Sequence, residues 1–211
     1  MSWTVSSRGP ALALSGRRVL LRPLVVSDFE AWREVRIRSR DWLLKWEPRP
    51  LPGQPDATED RRVFAARCGA RERERQLGSG YGFGVFVGPD RSRFAGEINL
   101  SSVQRGPYQN AYVGYWIDEA VAGNSYTPEA FVVLCRFAFE ELGLHRVEAA
   151  IVPRNVNSRR VAEKLGLRQE GTSQRFLQIR GAWEDHVRYA ITAEEWADRR
   201  DELEAAFLAR R

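Results

Sequence analysis

The period of the apolar residues switches repeatedly along this 211-residue chain. RVLLRPL (residues 18–24) is a short β-rich run. Helical spacing follows in FEAWREVRIRS, with Ser27 or Asp28 as its N-cap, and in DWLLKW, which ends at Glu47-Pro48. Residues 48–55 hold four prolines and one glycine and read as a loop. Helical spacing returns over 57–77, where Val63 and Phe64 oppose a dense Arg/Glu face. From Tyr81 the period falls to two. YGFGVFV (81–87), FAGEINLSSV (94–103) and AYVGYWID (111–118) read as three successive antiparallel strands, broken at GPD and RGPYQN. An apolar helix is expected over 127–142, stopped by Gly143. Then come a buried-type strand at 146–152, a short helix at 158–165 and two strands, 168–179 and 183–191, around Arg180-Gly181. Thr192 caps an acidic C-terminal helix. With no internal repeat, the pattern predicts a loose tail over 1–15 and one α/β (α+β) domain over 16–211. Its sheet is mixed, mainly antiparallel, of about seven strands flanked by helices.

Composition narrows the class. The chain is 43% hydrophobic and 29% charged, enough for a core and too mixed for global disorder. Of 33 basic residues only Lys45 and Lys164 are lysines, and the net charge is +5. Acidic residues are interspersed throughout, so this excess reads as a preference for arginine over lysine. The sequence carries no basic block and no nucleic-acid motif. Cys68 and Cys135 lie far apart, outside any CxxC and away from His, and Cys135 falls in an apolar helical run as a core thiol. No metal is expected. The N-terminus lacks the pattern of a signal peptide and no stretch is apolar enough to span a membrane, so the expected location is the cytoplasm.

The candidate chemistry lies in the second half. The strand ending at Asp118 runs into a turn of small residues, Val121, Ala122, Gly123, Asn124, Ser125 and Tyr126, and Pro128 suits the first turn of the helix beyond. Free N–H groups at a helix start, approached closely over small residues, bind phosphate. An ordinary strand–helix loop would carry the same residues. About thirty residues later PRNVNSRRVAEKLGLRQEG places Asn155 and Ser158 ahead of another helix.

Three segments in order, GYWIDEAVAGNSYTPEA, NVNSRRVAEKLGLRQEG and IRGAWEDHVRYAI, resemble the GNAT acetyltransferase superfamily, and more closely its ribosomal-protein N-terminal alanine acetyltransferases of RimJ/RimL type; the likeness runs from about Arg17 to Trp196. It implies acetyl-CoA as co-substrate, lying in a gap between the fourth and fifth strands. Trp116 and Ile117 would offer backbone groups to the pantetheine arm and the amides of 121–126 would hold the pyrophosphate. Asn155 would bond the pantetheine region and Ser158 would lie near the thioester sulfur. The superfamily pattern Arg/Gln-x-x-Gly-x-Gly/Ala is met here by Ala120, Gly123 and Ser125, so only the central glycine is kept. Arg175 stands where some relatives carry an acid.

Acetyl transfer to an amine requires loss of a proton from the amine, polarisation of the thioester and departure of the thiolate. Ser158 is the candidate donor to the sulfur, or a helix N-cap, or both. Glu97, an acid among apolar neighbours on a strand, is a base or a salt-bridged residue. His186, beside Asp185, reads as a structural residue. Trp42, Trp46, Tyr81, Phe83 and Trp116 are core or acceptor-slot aromatics; Trp46, Tyr81 and Trp116 are the acceptor candidates. The acceptor is a protein N-terminus or a small amine such as an aminoglycoside or metabolite. A CoA-free binding module is the reading from another class, and the protein acts as a monomer or homodimer.

Overall fold

The computed structural model describes residues 12–50, 53 and 55–209. The tail expected over 1–15 falls largely outside them. Its last part does not: Leu14–Ser15 forms β1, paired antiparallel with β2 (Leu20–Arg22). This two-residue strand is why the sheet has eight strands among the described residues and not about seven. It also makes the strand before the small-residue turn the fifth.

The helices follow the predicted order with shifted ends. Val26–Asp28 is a 3-10 turn before α1 (Phe29–Arg38). Neither Ser27 nor Asp28 caps α1 by its side chain; the Asp28 carboxylate accepts from the Val25 amide and pairs with Arg22 instead. A short α2 (Arg40–Leu44) ends before Trp46. Next, α3 (Arg61–Leu77) starts four residues later than its apolar spacing suggests. Asp56 turns the chain by accepting from the Thr58 amide and hydroxyl, and Asp60 then caps the helix at the Arg62 amide.

The strands β3 (Tyr81–Val87), β4 (Arg93–Gln104) and β5 (Asn110–Ile117) form the expected antiparallel run. Next, α4 (Tyr126–Arg136) is prolonged by a π-helical turn, Phe137–Glu141. After β6 (Arg146–Ile151) come α5 (Val156–Lys164), the long hairpin β7 (Arg168–Ile179) and β8 (Ala182–Thr192), and α6 (Ala193–Phe207). Arg180 and Gly181, both at positive φ, make the hairpin turn, and Thr192 and Glu195 close a capping box on α6. The strand order is β1-β2-β3-β4-β5-β6-β8-β7, and the β5–β6 pair is parallel.

Both sheet faces are packed. One carries the larger core, in which Phe83, Ile98 and Leu100 meet Phe131 and Leu134 of α4 and Trp196 of α6. The other carries a smaller core of Phe29, Trp32 and Val35 from α1, Phe64 from α3, and Phe86 and Phe94. Cys135 is buried in the larger core, and burial pushes its thiol pKa up. No helix among the described residues is long and apolar enough to cross a membrane.

Candidate active site

The parallel pair β5–β6 is bonded only at Asn110↔Arg146, Ala111↔Val147 and Tyr112↔Glu148. Beyond Tyr112 the strands part: β5 continues against β4 to Ile117, and β6 against β8 to Ile151. The opened edge of β5 therefore has unpaired backbone groups. The register fixes which ones. The Asp118 amide donates to the Ala95 carbonyl, 2.7 Å away. Alternation then aims the backbone of 114, 116 and 118 into β4 and that of 113, 115 and 117 at the gap. Ile117 thus offers groups to the gap as expected, whereas Trp116 spends its own on β4; Tyr115 takes the place expected of Trp116. Gly96 brings the two strands close at this end, where a Cβ would stand 2.2 Å from the Trp116 carbonyl oxygen.

The chain then forms a 3-10 turn, Glu119–Val121, capped by Asp118, and enters α4 through Ala122, Gly123, Asn124 and Ser125. Gly123 (φ 84°) and Ser125 (φ 61°) are left-handed. The amides of Gly123, Asn124, Ser125, Tyr126 and Thr127 meet no protein acceptor among the described residues, while those of Val121 and Ala122 are used inside the turn. A run of free N–H groups at a helix start can receive an anion. Here the arrangement fits a pyrophosphate. Val121 is buried and its amide taken, so its part is to anchor the loop. The Asn124 side chain donates to the Val121 carbonyl at 3.0 Å and braces the turn. Ser125 is strained, since a side chain at left-handed φ costs about 1–2 kcal/mol. Ser125→Gly should accordingly raise the unfolding free energy by about 1 kcal/mol in urea denaturation; a fall would mean that the Lys164 contact to its hydroxyl, at 3.4 Å, outweighs the strain.

A buried network holds the cradle in place. Asp118, wholly buried, pairs with Arg38, accepts from the Ser39 hydroxyl at 3.0 Å and from the Ala120 amide at 3.2 Å. Ser39 in turn accepts from the Glu119 amide. Burial alone would raise the Asp118 pKa, but these donors outweigh it and leave the carboxyl below its usual value. A folded-state pKa below the unfolded one contributes stability at neutral pH that is lost as pH falls through the folded value. The stability difference between the wild type and Asp118→Asn should therefore be widest above about pH 4 and shrink below it. Urea titrations at several pH values test this, and a pH-independent difference would contradict it.

Across the gap, Asn155 caps α5 by accepting from the Ser158 amide at 3.2 Å. Ser158 is thus the capped residue and not the cap, and its hydroxyl has no protein partner among the described residues. The Tyr115 hydroxyl donates to the Ser158 carbonyl at 3.1 Å, tying the two sides of the split together. Burial pushes the Tyr115 pKa up, so it stays a neutral donor. Sequence reasoning missed Tyr115; the alternation of YVGYWID held the signal, once the strand's free edge was known.

A cleft of about 1230 Å³ joins these parts to the tryptophans of α1 and the α2 region. Gly123, Ser125, Tyr126, Asn155 and Ser158 line one half; Trp32, Trp42, Trp46, Glu97 and Trp116 line the other. The two Glu97 oxygens are engaged, one by Trp32 Nε1 at 2.8 Å and the other by Arg67, so of the two expectations for Glu97 the salt bridge is realised. Arg36 lies 5.1 Å above the Trp116 ring and holds Glu47 with two bonds of 2.6 and 2.8 Å. Trp46 forms a wall, with Arg154 5.2 Å from its ring and Arg154 bonded twice to Glu184 of β8. Tyr81 is not brought to the cleft. It points to the opposite face of the sheet and packs edge-on against Phe137, as alternation from Phe83 requires. His186 is buried with Nδ1 2.9 Å from the Glu184 carbonyl, in the structural part expected of it.

Residues 18–168 match the family described as an acetyltransferase (GNAT) domain. A probable N-acetyltransferase of Bacillus subtilis (strain 168), YjcK, is 33% identical over 178 residues, 84% of this chain and 96% of its own. The [ribosomal protein uS5]-alanine N-acetyltransferase of Escherichia coli (strain K12) is 31% identical over 192 residues, 90% and 95% of the two chains. Among solved structures, Mycobacterium smegmatis RimJ in complex with CoA-disulfide aligns with a TM-score of 0.80 at 30% identity, over 93% of each chain. With its parted strands and free amides, the chain belongs to the GNAT family, as an acetyl-CoA-dependent N-acetyltransferase with RimJ/RimL-type relatives.

Proposed function

We propose that the protein acetylates the N-terminal amine of a protein, of the ribosomal-protein-alanine kind, by direct attack in a ternary complex. The observation that carries this is a cleft continuous from the free amides of 123–127 to an exposed rim at Pro48, Arg49, Pro50 and Asp56. An acceptor that enters at such a rim can keep the rest of its chain in solvent. The uS5-alanine activity of the Escherichia coli relative supports the same class of acceptor.

Acetyl-CoA supplies an activated thioester. In this reading the amides of Gly123 to Thr127 hold its pyrophosphate, Ile117 and Tyr115 bond the pantetheine arm through their backbones, and the Asn155 carboxamide contributes its free amide group. Ser158 offers a hydroxyl to the sulfur side of the split. Trp46 and Trp116 wall the acceptor half and exclude water. Glu97, committed to Trp32 and Arg67, keeps that wall in place, and solvent takes the proton lost by the amine.

Mass-spectrometric detection of acetylation on peptides starting with Ala or Ser, against aminoglycosides and simple amines, tests the acceptor. Peptide acetylation is expected. Acetylation of the small amines alone would replace this reading with a small-molecule acetyltransferase. Ser158→Ala should lower kcat about 10- to 100-fold and leave acetyl-CoA affinity within about threefold, the pattern of an interaction made only in the transition state.

A further inference from the structure

Beside Glu97, the cleft contains a polar side chain that the functional reading leaves unused. In the β4–β5 register Glu97 faces Trp116 and, one rung along the same face, Asn99 faces Gly114. Both Asn99 and Gly114 line the cleft. The two rungs differ in kind. Trp116 fills the space over its own rung, and the Glu97 oxygens are bonded. Gly114 carries no side chain on its rung, and the Asn99 carboxamide lies over it: a Cβ there would stand 3.0 Å from Asn99 Oδ1 and 3.8 Å from Nδ2. The Asn99 carboxamide is half-buried and makes no hydrogen bond with the described residues. Both its polar ends stay open to the cleft, where a ligand that offers an acceptor and a donor can replace solvent on them.

We infer that Asn99 is an acceptor-binding residue, and that its carboxamide, laid over Gly114, hydrogen-bonds the first peptide group of the acceptor chain from the cleft side. The chemistry selects this ligand. A carboxamide presents one donor group and one acceptor, the complement of a peptide unit. An isolated ammonium would use only its oxygen. The carboxylates and guanidinium groups beside it on this wall are paired with one another: Arg36 with Glu47 and Arg67 with Glu97. A neutral pair suits a neutral peptide group. Asn99 thereby distinguishes peptides from simple amines of similar basicity. The inference rests on the peptide-acceptor reading above and adds the residue that enforces it.

The test uses the full chain, an Ala-starting hexapeptide and its analogue in which the first peptide N–H is replaced by an ester oxygen. Wild type should show a KM for the ester analogue raised about tenfold, one neutral hydrogen bond's worth of discrimination. Asn99→Ala should raise KM for the peptide by a similar factor and accept both substrates equally. Its calorimetric affinity for acetyl-CoA should be unchanged, which a merely unfolded or misfolded variant would not show. Gly114→Ala, crowding the carboxamide from the opposite strand, should also raise the peptide KM. Equal KM for peptide and ester in wild type, or an unchanged peptide KM in Asn99→Ala, overturns the assignment. If wild type binds acetyl-CoA and acetylates no peptide, the acceptor reading falls with it. If peptides are acetylated and Asn99→Ala behaves as wild type, only the role of Asn99 falls.

Discussion

Gly123→Trp is expected to weaken acetyl-CoA binding at least about a hundredfold, some 2.7 kcal/mol, while lowering the unfolding free energy by only about 1 kcal/mol. The two effects separate because of where Gly123 sits. Its φ of 84° disfavours any side chain, but nothing lies within 4 Å of the position a Cβ would take. The free protein therefore suffers backbone strain and no clash. The space that an indole would fill is that over the amides of Gly123 to Thr127, on the lining of the cleft. A pyrophosphate and an indole cannot both occupy it. Titration calorimetry with acetyl-CoA, beside urea denaturation of the same preparation, reads both quantities. Affinity within threefold of wild type would mean that the phosphates are held elsewhere, and the cradle assignment would fail.

Gly123 also marks how far the sequence could be read. The helix and strand order followed from periodicity because most segments are amphipathic and the expected stop residue Gly143 takes the left-handed conformation. Leu14–Ser15 was missed because a two-residue strand has no period. The start of α3 was misplaced because apolar spacing ran on through a turn that Asp56 and Asp60 control by hydrogen bonds. At the site, Ser158, Asn155 and the small-residue turn were legible from local chemistry. The backbone role of Tyr115 over Trp116 was not, since it depends on which edge of β5 loses its partner. Nor was Tyr81 legible as a core residue: an aromatic near a strand start fits either face until the register is known. Asn99 escaped notice for the same reason, because its meaning comes from Gly114 on another strand.

Glu129→Leu should destabilise the fold by about 3–5 kcal/mol, the largest stability effect expected of any single residue near the site. Glu129 is fully buried in the first turn of α4, between Pro128 and Ala130. One carboxylate oxygen accepts the backbone amides of Arg18 and Val19, the second at 3.2 Å, and the other accepts Arg18 Nε at 2.8 Å. This carboxylate thus satisfies the chain where it enters β2. Leucine would fill the volume and leave the buried Val19 amide and the part-buried Arg18 amide without their acceptor, and the Arg18 guanidinium without its ion pair. Glu129→Gln keeps one acceptor oxygen, and its loss should be about half as large. Arg18 also reaches the Ser125 carbonyl, at 3.4 Å, and lies 4.9 Å from the Tyr126 ring, so the same contact underlies the cradle. Glu129→Gln should therefore weaken acetyl-CoA binding several-fold at a temperature where it remains folded. Denaturant unfolding with an unchanged m-value gives the stability term free of changes in the unfolded state. A loss below 1 kcal/mol in Glu129→Leu would show that solvent reaches Arg18 and Val19 and replaces the carboxylate, so that β2 is not anchored through α4.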